Sequence, residues 1–552
     1  MKKIIIWIDQ YLLLLVTAIL LVVIPAFPKL PLADLIEGYI VRLRIEDILV
    51  LLAFLIWVVQ LFRKKITFPT NLVAKFILAY LIFGFLSTLS AIFLTQTVPM
   101  DQQHIFKLYL HFFRRVEYFS LFFIAYSAVK TRADILFLLK VSAITLLAIV
   151  IYGYGQKYYL WPAFSTMNRE FSKGTRLYLT ANSRVMSTFA GHYDYAAYLM
   201  MSLSLVVAYL WTHKQKWVNL LVALFGLSIY WSLILTASRT SFIGYLVGIT
   251  AIALIIKRLK TGLHVFWRWL GVMFVSFAIM LTMGDLSDRF FQVLKNPDLI
   301  VHDVTQITPI KREWITNPLS LLGSTLGGFG ERLALMRTKL NTSVATPPPN
   351  SLSTEEIEKV AAVSDTPPST SPPLPPDVSA EEDAFRKEQE AKNNAPSPSP
   401  GSGYSPNALK YGLSVAIRLD ALWPRAEAAF WRNPLLGSGY STLTKSYNEE
   451  FTQAESTDND YLRMLGETGL LGTLTFLAIP MLVAYYGYLL SRQAKSDTFS
   501  FFGIAMIGVV ASLLINATYI DVFESSKIAY LFWAMCALIV RSYELRPHEK
   551  DS

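Results

Sequence analysis

Twelve apolar runs, each about as long as a helix that crosses a bilayer, decide what this chain can fold into. A span needs roughly 17 to 25 mostly apolar residues. Such runs fall near 9–27, 45–62, 71–94, 108–128, 134–155, 193–211, 217–236, 240–256, 265–283, 465–490, 500–519 and 525–541. In hydrocarbon a segment must satisfy its own backbone N–H and C=O groups, so these runs predict helices. Composition agrees, with 53% hydrophobic and 16% charged residues, where soluble domains carry roughly 25% charged. The expected fold is an all-α polytopic membrane protein with about twelve transmembrane helices. The run after Met1-Lys-Lys is long and lacks a small-x-small cleavage site, so it reads as an uncleaved first span.

Alternate loops carry Arg63-Lys64-Lys65, Lys130 and Arg132, Lys214 and Lys216, Lys257-Arg258 and Lys260, Arg492 and Lys495, and Arg541 and Arg546. The positive-inside rule puts these loops and both termini in the cytoplasm. The expected organisation is an N-terminal membrane bundle over 1–283 (about nine spans), an extracytoplasmic loop over 284–464, and a C-terminal bundle over 465–552 (about three spans) with a short cytoplasmic tail. Within the loop, 340–406 is rich in proline and serine and almost free of large apolar side chains. It reads as a disordered insertion without chemistry of its own, with a transient helix over 379–392. Ala408 to Trp431 has the spacing of an amphipathic helix, with Arg418 and Arg425 on one side.

The net charge of +10 lacks the basic patch with interleaved aromatics that nucleic acid requires, and most of it follows from topology. The single cysteine, Cys536, lies in the last apolar run and reads as a small buried apolar residue. The chain has no Gly-x-x-x-x-Gly-Lys-Ser/Thr loop, no His-Glu-x-x-His, no Cys-x-x-Cys pair and no convincing outer Asp-x-Asp. ATP hydrolysis and a metal site are therefore unsupported, and no cofactor is expected.

Arg176, Arg184, Arg239, Arg418, Arg425 and Arg432 fall on the outer side, where the topology rule asks for no positive charge. Arginine near a bilayer surface serves phosphates through its planar, always charged fork; solvated loop charge or lipid-headgroup contact is the plainer reading. The most organised stretch is Asn433-Pro-Leu-Leu-Gly-Ser-Gly-Tyr440, followed by Asp458-Asn-Asp-Tyr-Leu-Arg-Met-Leu-Gly-Glu-Thr-Gly-Leu-Leu-Gly472. Gly437 and Gly439 permit a tight turn, the polar run to Asp460 is expected in water, and a membrane helix follows from Leu462.

The ensemble of an Arg-led segment, Asn-Pro-Leu-Leu-Gly-x-Gly, a polar residue-Asn-x-x-Leu and Glu-x-Gly-Leu-Leu-Gly resembles the O-antigen ligase and O-antigen polymerase superfamily of bacterial membrane glycosyltransferases, which are GT-C-like. The resemblance covers most of the chain outside 340–406. Ser238-Arg239 resembles the family's Thr-x-Ser-Arg, whose arginine is implicated in binding the diphosphate of a lipid-linked donor. Residues 184–198 are similar to its Arg-x-x-Gly-x-Phe-x-x-Pro-Asn-x-x-Ala segment, with Ser187 for the usual glycine and Tyr193-Asp194 for Pro-Asn.

The resemblance implies donor-phosphate roles for Arg239, Arg418 and Arg184, with Arg425 beside them. His192 is a base or donor ligand on that reading, or a structural cap. Asp458 stands where the ligase branch has a histidine proposed as general base. Polymerase-like members often show Asp-Asn there, which shifts weight to polymerisation, while Asp458 and Asn459 also suit a helix cap. Asp460, Tyr461 and Glu467 are candidate sugar contacts, and Gly469 and Gly472 suit close helix packing. The implied activity is metal-independent, inverting transfer from a polyprenyl-diphosphate-linked glycan to a glycan or lipid acceptor at the outer face of the cytoplasmic membrane, with membrane lipids and polysaccharide-assembly proteins as partners. A ligase and a twelve-span transporter are the alternatives.

Overall fold

The computed structural model describes residues 2–35, 42–166, 171–180, 183–259, 263–282, 418–443, 457–492 and 499–545. The Pro-rich insertion, the 379–392 segment and the first part of the predicted 408–431 helix lie outside them. The helices are α1 (Lys2–Ala26), α2 (Ile45–Phe62), α3 (Leu72–Phe93), α4 (Gln102–Ala128), α5 (Arg132–Tyr158), α6 (His192–Thr212), α7 (Lys216–Leu235), α8 (Arg239–Leu259), α9 (Leu263–Thr282), α10 (Trp423–Arg432), α11 (Asp460–Ser491), α12 (Ser500–Asn516) and α13 (Ser526–Glu544). Each predicted apolar run falls largely on one of them. Among the described residues, seven are long and apolar enough to cross a membrane: α2, α3, α5, α6, α7, α8 and α11. The protein is thus a helical membrane protein, and its only described sheet pairs β1 (Pro31–Asp34) antiparallel with β2 (Arg42–Arg44).

The side chains show why these helices need lipid. On α2, Leu51, Leu52, Leu55, Val59 and Phe62 recur at helical spacing and stay exposed, while Val50, Ala53, Trp57 and Gln60 on the opposite side are buried. A stripe of exposed leucines that size is stable against hydrocarbon rather than water. Polar starts are fixed locally: Asn71 and Thr131 cap α3 and α5 through side chains that accept from Ala74 and Asp134 N–H groups.

The chain divides into two compact units, one of residues 1–277, 284–286 and 413–552 and the other of 278–283 and 287–412. In the first unit α12 packs against α8, α6 and α11, α11 against α3 and α10, and α13 against α4. The described residues 418–443 and 457–459, assigned by sequence to the large loop, belong to the same unit as the helices. Aromatic rings lock α4, α11 and α13 together, with Phe119 4.4 Å from Trp533 and Trp533 5.7 Å from Phe476. Cys536 is fully buried in α13, as expected.

Candidate active site

One end of the bundle gathers the polar chemistry, and a break in α11 organises it. Gly469 has φ +63 and ψ −165, which interrupts the helix between two halves. An unbroken helix would bond the N–H groups of 470 and 471 to the carbonyls of 466 and 467. Instead the 433–439 loop inserts there: Leu470 and Leu471 N–H donate to the carbonyls of Pro434 and Leu435, at 2.8 and 3.2 Å. In return Ser438 and Gly439 N–H donate to the carbonyls of Gly466 and Glu467, at 2.8 and 3.0 Å. The Ser87 hydroxyl adds a bond to the Glu467 carbonyl at 2.7 Å, and Thr97 holds the Ser438 carbonyl at 2.5 Å. Irregular backbone in a membrane protein persists where protein satisfies it in this way. The two glycine motifs, distant in sequence, are therefore one structural unit. Gly469 serves this break rather than close helix packing, whereas a Cβ on Gly472 would meet Thr468.

Asp458 sits immediately before α11 in the left-handed region, φ +51, a conformation that is uncommon outside glycine, asparagine and aspartate. Its flanks are held by one carboxylate. Asp521 accepts the Thr457 N–H at 2.9 Å through Oδ2 and the Asn459 N–H at 2.8 Å through Oδ1. Arg463 fixes Asp521 from the other side at 2.8 Å. Asn459 caps α11, its Oδ1 accepting from Leu462 N–H at 3.0 Å, while its amide donates to the Thr518 carbonyl. The cap and the candidate base are thus adjacent residues, and only Asn459 does the capping.

The run up to Asp460, expected in water, is buried at its end. Asp460 accepts the Phe523 N–H, and its own N–H donates to the Ala517 carbonyl. Tyr461 donates its hydroxyl to the Leu514 carbonyl. The turn between α12 and α13 covers these residues because it supplies the backbone partners they need.

Arg418 folds back onto this turn. Its Nη2 lies 2.6 Å from Asp458 Oδ2, and its guanidinium stacks 4.1 Å from the centre of the Tyr519 ring. It belongs to a π-helical turn, Arg418–Leu422, that runs into α10. Arg425, on α10, is half-buried. Arg239 is exposed at the first turn of α8. That turn is tied to the same site, because Ser241 accepts from the Asn516 amide at 3.2 Å at the end of α12. Arg184 arrives by a third route: the neighbouring Val185 N–H donates to the Leu235 carbonyl at 3.1 Å, beside the α7–α8 turn. Its Nη1 lies 2.8 Å from His192 Nε2, and since a guanidinium offers no acceptor, His192 is the acceptor here.

No protein-family model matches the chain, and no curated protein matches it.

Glu467 does not face open solvent. Its Oε2 lies 3.4 Å from Arg115 and 3.5 Å from Arg463, and its Oε1 accepts the Ser441 N–H at 3.0 Å. Arg115 also pairs with Glu524 at 2.5 Å and lies over the Tyr440 ring at 4.9 Å. Burial pushes the Glu524 carboxyl up, against the pull of Arg115 and Arg463. Arg115 and Arg463 so join α4, α11, the 433–443 loop and the α12–α13 turn into one buried ion network.

Sequence reasoning passed over Arg115, Arg463 and Asp521. The signal was present for α4: Lys107, His111, Arg114, Arg115 and Glu117 interrupt an otherwise apolar run, and ionisable residues within a span mark function or pairing. Arg114 meets Asp47 at 2.6 Å and Glu117 at 3.1 Å, and Glu117 accepts from Tyr530. Ionisable groups therefore extend into the bundle beyond the outer boundary where sequence placed them. Beside this, Lys527 is fully buried and donates to the carbonyls of Pro25, Phe27 and Thr188, tying α1 and α13 to the segment that carries Arg184.

Proposed function

We propose that this protein is a multi-pass glycosyltransferase of the cytoplasmic membrane that uses a polyprenyl-diphosphate-linked oligosaccharide on the outer face and polymerises surface-polysaccharide repeat units. The observation that supports the reading is the Arg418–Asp458 pair beside the α12–α13 turn, with the first turn of α8, which carries Arg239, bonded to the end of α12 through Ser241 and Asn516. The fold in this proposal has about twelve spans, both termini in the cytoplasm and the site outside, an orientation supported by the lysines and arginines of the alternate loops.

The acceptor hydroxyl attacks the anomeric carbon and gives its proton to Asp458, while the bond to the diphosphate oxygen breaks and its electron pair leaves with that oxygen. Arg418, Arg239 and Arg184 stabilise the charge that grows there, the electrostatic contribution that is usually largest in such catalysis. In this scheme the arginines take the part that a metal ion plays elsewhere. Asn459 and Asp521 hold Asp458 in position. Asp460, Tyr461 and Glu467 support the backbone of the site, since their polar groups are bonded within the protein.

A ligase that transfers finished glycan to a lipid or protein acceptor uses the same chemistry. Transport is a second class of reading, favoured by the buried Arg114, Asp47 and Glu117 set. Incubating purified protein with a polyprenyl-diphosphate oligosaccharide as donor and only acceptor separates them. A ladder of repeat multiples supports polymerisation; product only after a lipid or protein acceptor is added supports ligation. Flux into proteoliposomes without any glycan product overturns glycosyl transfer.

A further inference from the structure

Within the glycosyl-transfer reading, on which this inference rests, Arg418 and Asp458 have separate tasks, yet they occupy each other. A guanidinium N–H engages Asp458 Oδ2 at 2.6 Å, so that oxygen is already accepting a hydrogen bond. A base tied up this way is a poor acceptor for a hydroxyl proton. The two partners are unequally placed, with the Asp458 side chain 31% exposed and that of Arg418 7%. The carboxylate is therefore the more solvent-exposed member of the pair. Stacking on Tyr519 orients the Arg418 plane independently of Asp458, and Asp521 pins the backbone on both sides of Asp458. The aspartate side chain can thus leave Arg418 while its backbone stays in place.

We propose that the Arg418–Asp458 pair is a latch operated by the donor: a diphosphate displaces the carboxylate from Arg418, and the carboxylate so released becomes the base. A diphosphate carries more charge than a carboxylate and presents more oxygens to the arginine fork. The acceptor hydroxyl then loses its proton to Asp458 as its oxygen bonds to the anomeric carbon, and the carbon–phosphate-oxygen bond breaks onto the diphosphate held by Arg418. When the polyprenyl diphosphate departs, Asp458 gives its proton to water and pairs with Arg418 again. Donor binding in this scheme precedes activation of the acceptor.

The test is binding of the leaving group alone, so that catalysis is not needed. Farnesyl diphosphate is titrated into the purified full-length protein in detergent for wild type, Asp458→Asn and Asp458→Gly, residue types that accept left-handed backbone. Removing the competing carboxylate is expected to tighten binding by about two- to fivefold, the scale of a partly exposed ion pair, and to do so only while Arg418 is present. Unchanged or weaker binding in both variants, with melting temperatures equal to wild type, overturns the latch and leaves glycosyl transfer standing if wild type still makes its product ladder. Equal tightening toward phosphatidylglycerol overturns the diphosphate assignment in favour of a lipid headgroup. No binding of farnesyl diphosphate by wild type overturns both the latch and the donor reading.

Discussion

Gly437 and Gly469 lie backbone to backbone, so that a Cβ on either would stand 2.6 Å from the amide nitrogen of the other. Both have positive φ, +72 and +63, and both belong to the loop-in-helix junction that exchanges four backbone hydrogen bonds. Gly469→Ala and Gly437→Ala are each expected to lose at least about 1–2 kcal/mol for the left-handed backbone alone, with the contact adding to it. Thermal melting in detergent checks this; wild-type melting in either variant would show that the junction is not as drawn.

Arg115 and Glu467 form the centre of the buried network. Arg115→Met removes one of the arginines that Glu467 and Glu524 share and is expected to cost about 3–5 kcal/mol, the usual result of removing one partner of a buried pair. The double variant Arg115→Met with Glu467→Gln should recover part of that loss, because the unpaired charge goes too. A double-mutant cycle on unfolding midpoints measures the coupling, and strict additivity would refute it.

Arg239 offers the opposite profile. Exposed at the start of α8, it is expected to change stability by no more than about 0.5 kcal/mol when replaced by alanine. Under the proposed function the same variant loses about a hundredfold in product formation, as removal of one charge-stabilising group commonly does. Unaltered turnover would return Arg239 to a headgroup contact.

Lys29 lies between α1 and α2, 4% exposed and 3.7 Å from Glu46. Burial, aided by the nearby Arg44, lowers its pKa to about 8, from an ordinary value of 10.5. Between those values the unfolded chain binds the extra proton, so stability should rise with pH from about 8 and level off near 10.5. Lys29→Met should make that rise shallower, a difference readable as the pH dependence of thermal inactivation in detergent.

Much of the helical frame was legible because bilayer thickness imposes a length and a composition on each segment, and the twelve apolar runs carry both. The turn glycines at 437 and 439 and the cap at Asn459 were legible for local reasons, conformational freedom and side-chain geometry. The short β1–β2 pair was not, since strands of four and three residues between helices carry no periodic signal.

The candidate site divides differently. The topology rule marked Arg184, Arg239 and Arg418 as outer charge, while the choice of Asp458 and the roles given to all four rested on the family resemblance. What each one touches depended on chain segments far apart in sequence: the Arg418–Asp458 pair, the Asp521 clamp across the α12–α13 turn, and the burial of Asp460 and Glu467. Sequence alone determined that this chain is a helical membrane protein with organised charge at its helix ends, since hydrophobic length and residue chemistry are local properties. Which of those charges pair inside and which face outward was decided by the tertiary structure, because a buried charge takes whichever partner the packing of distant helices brings within hydrogen-bond reach.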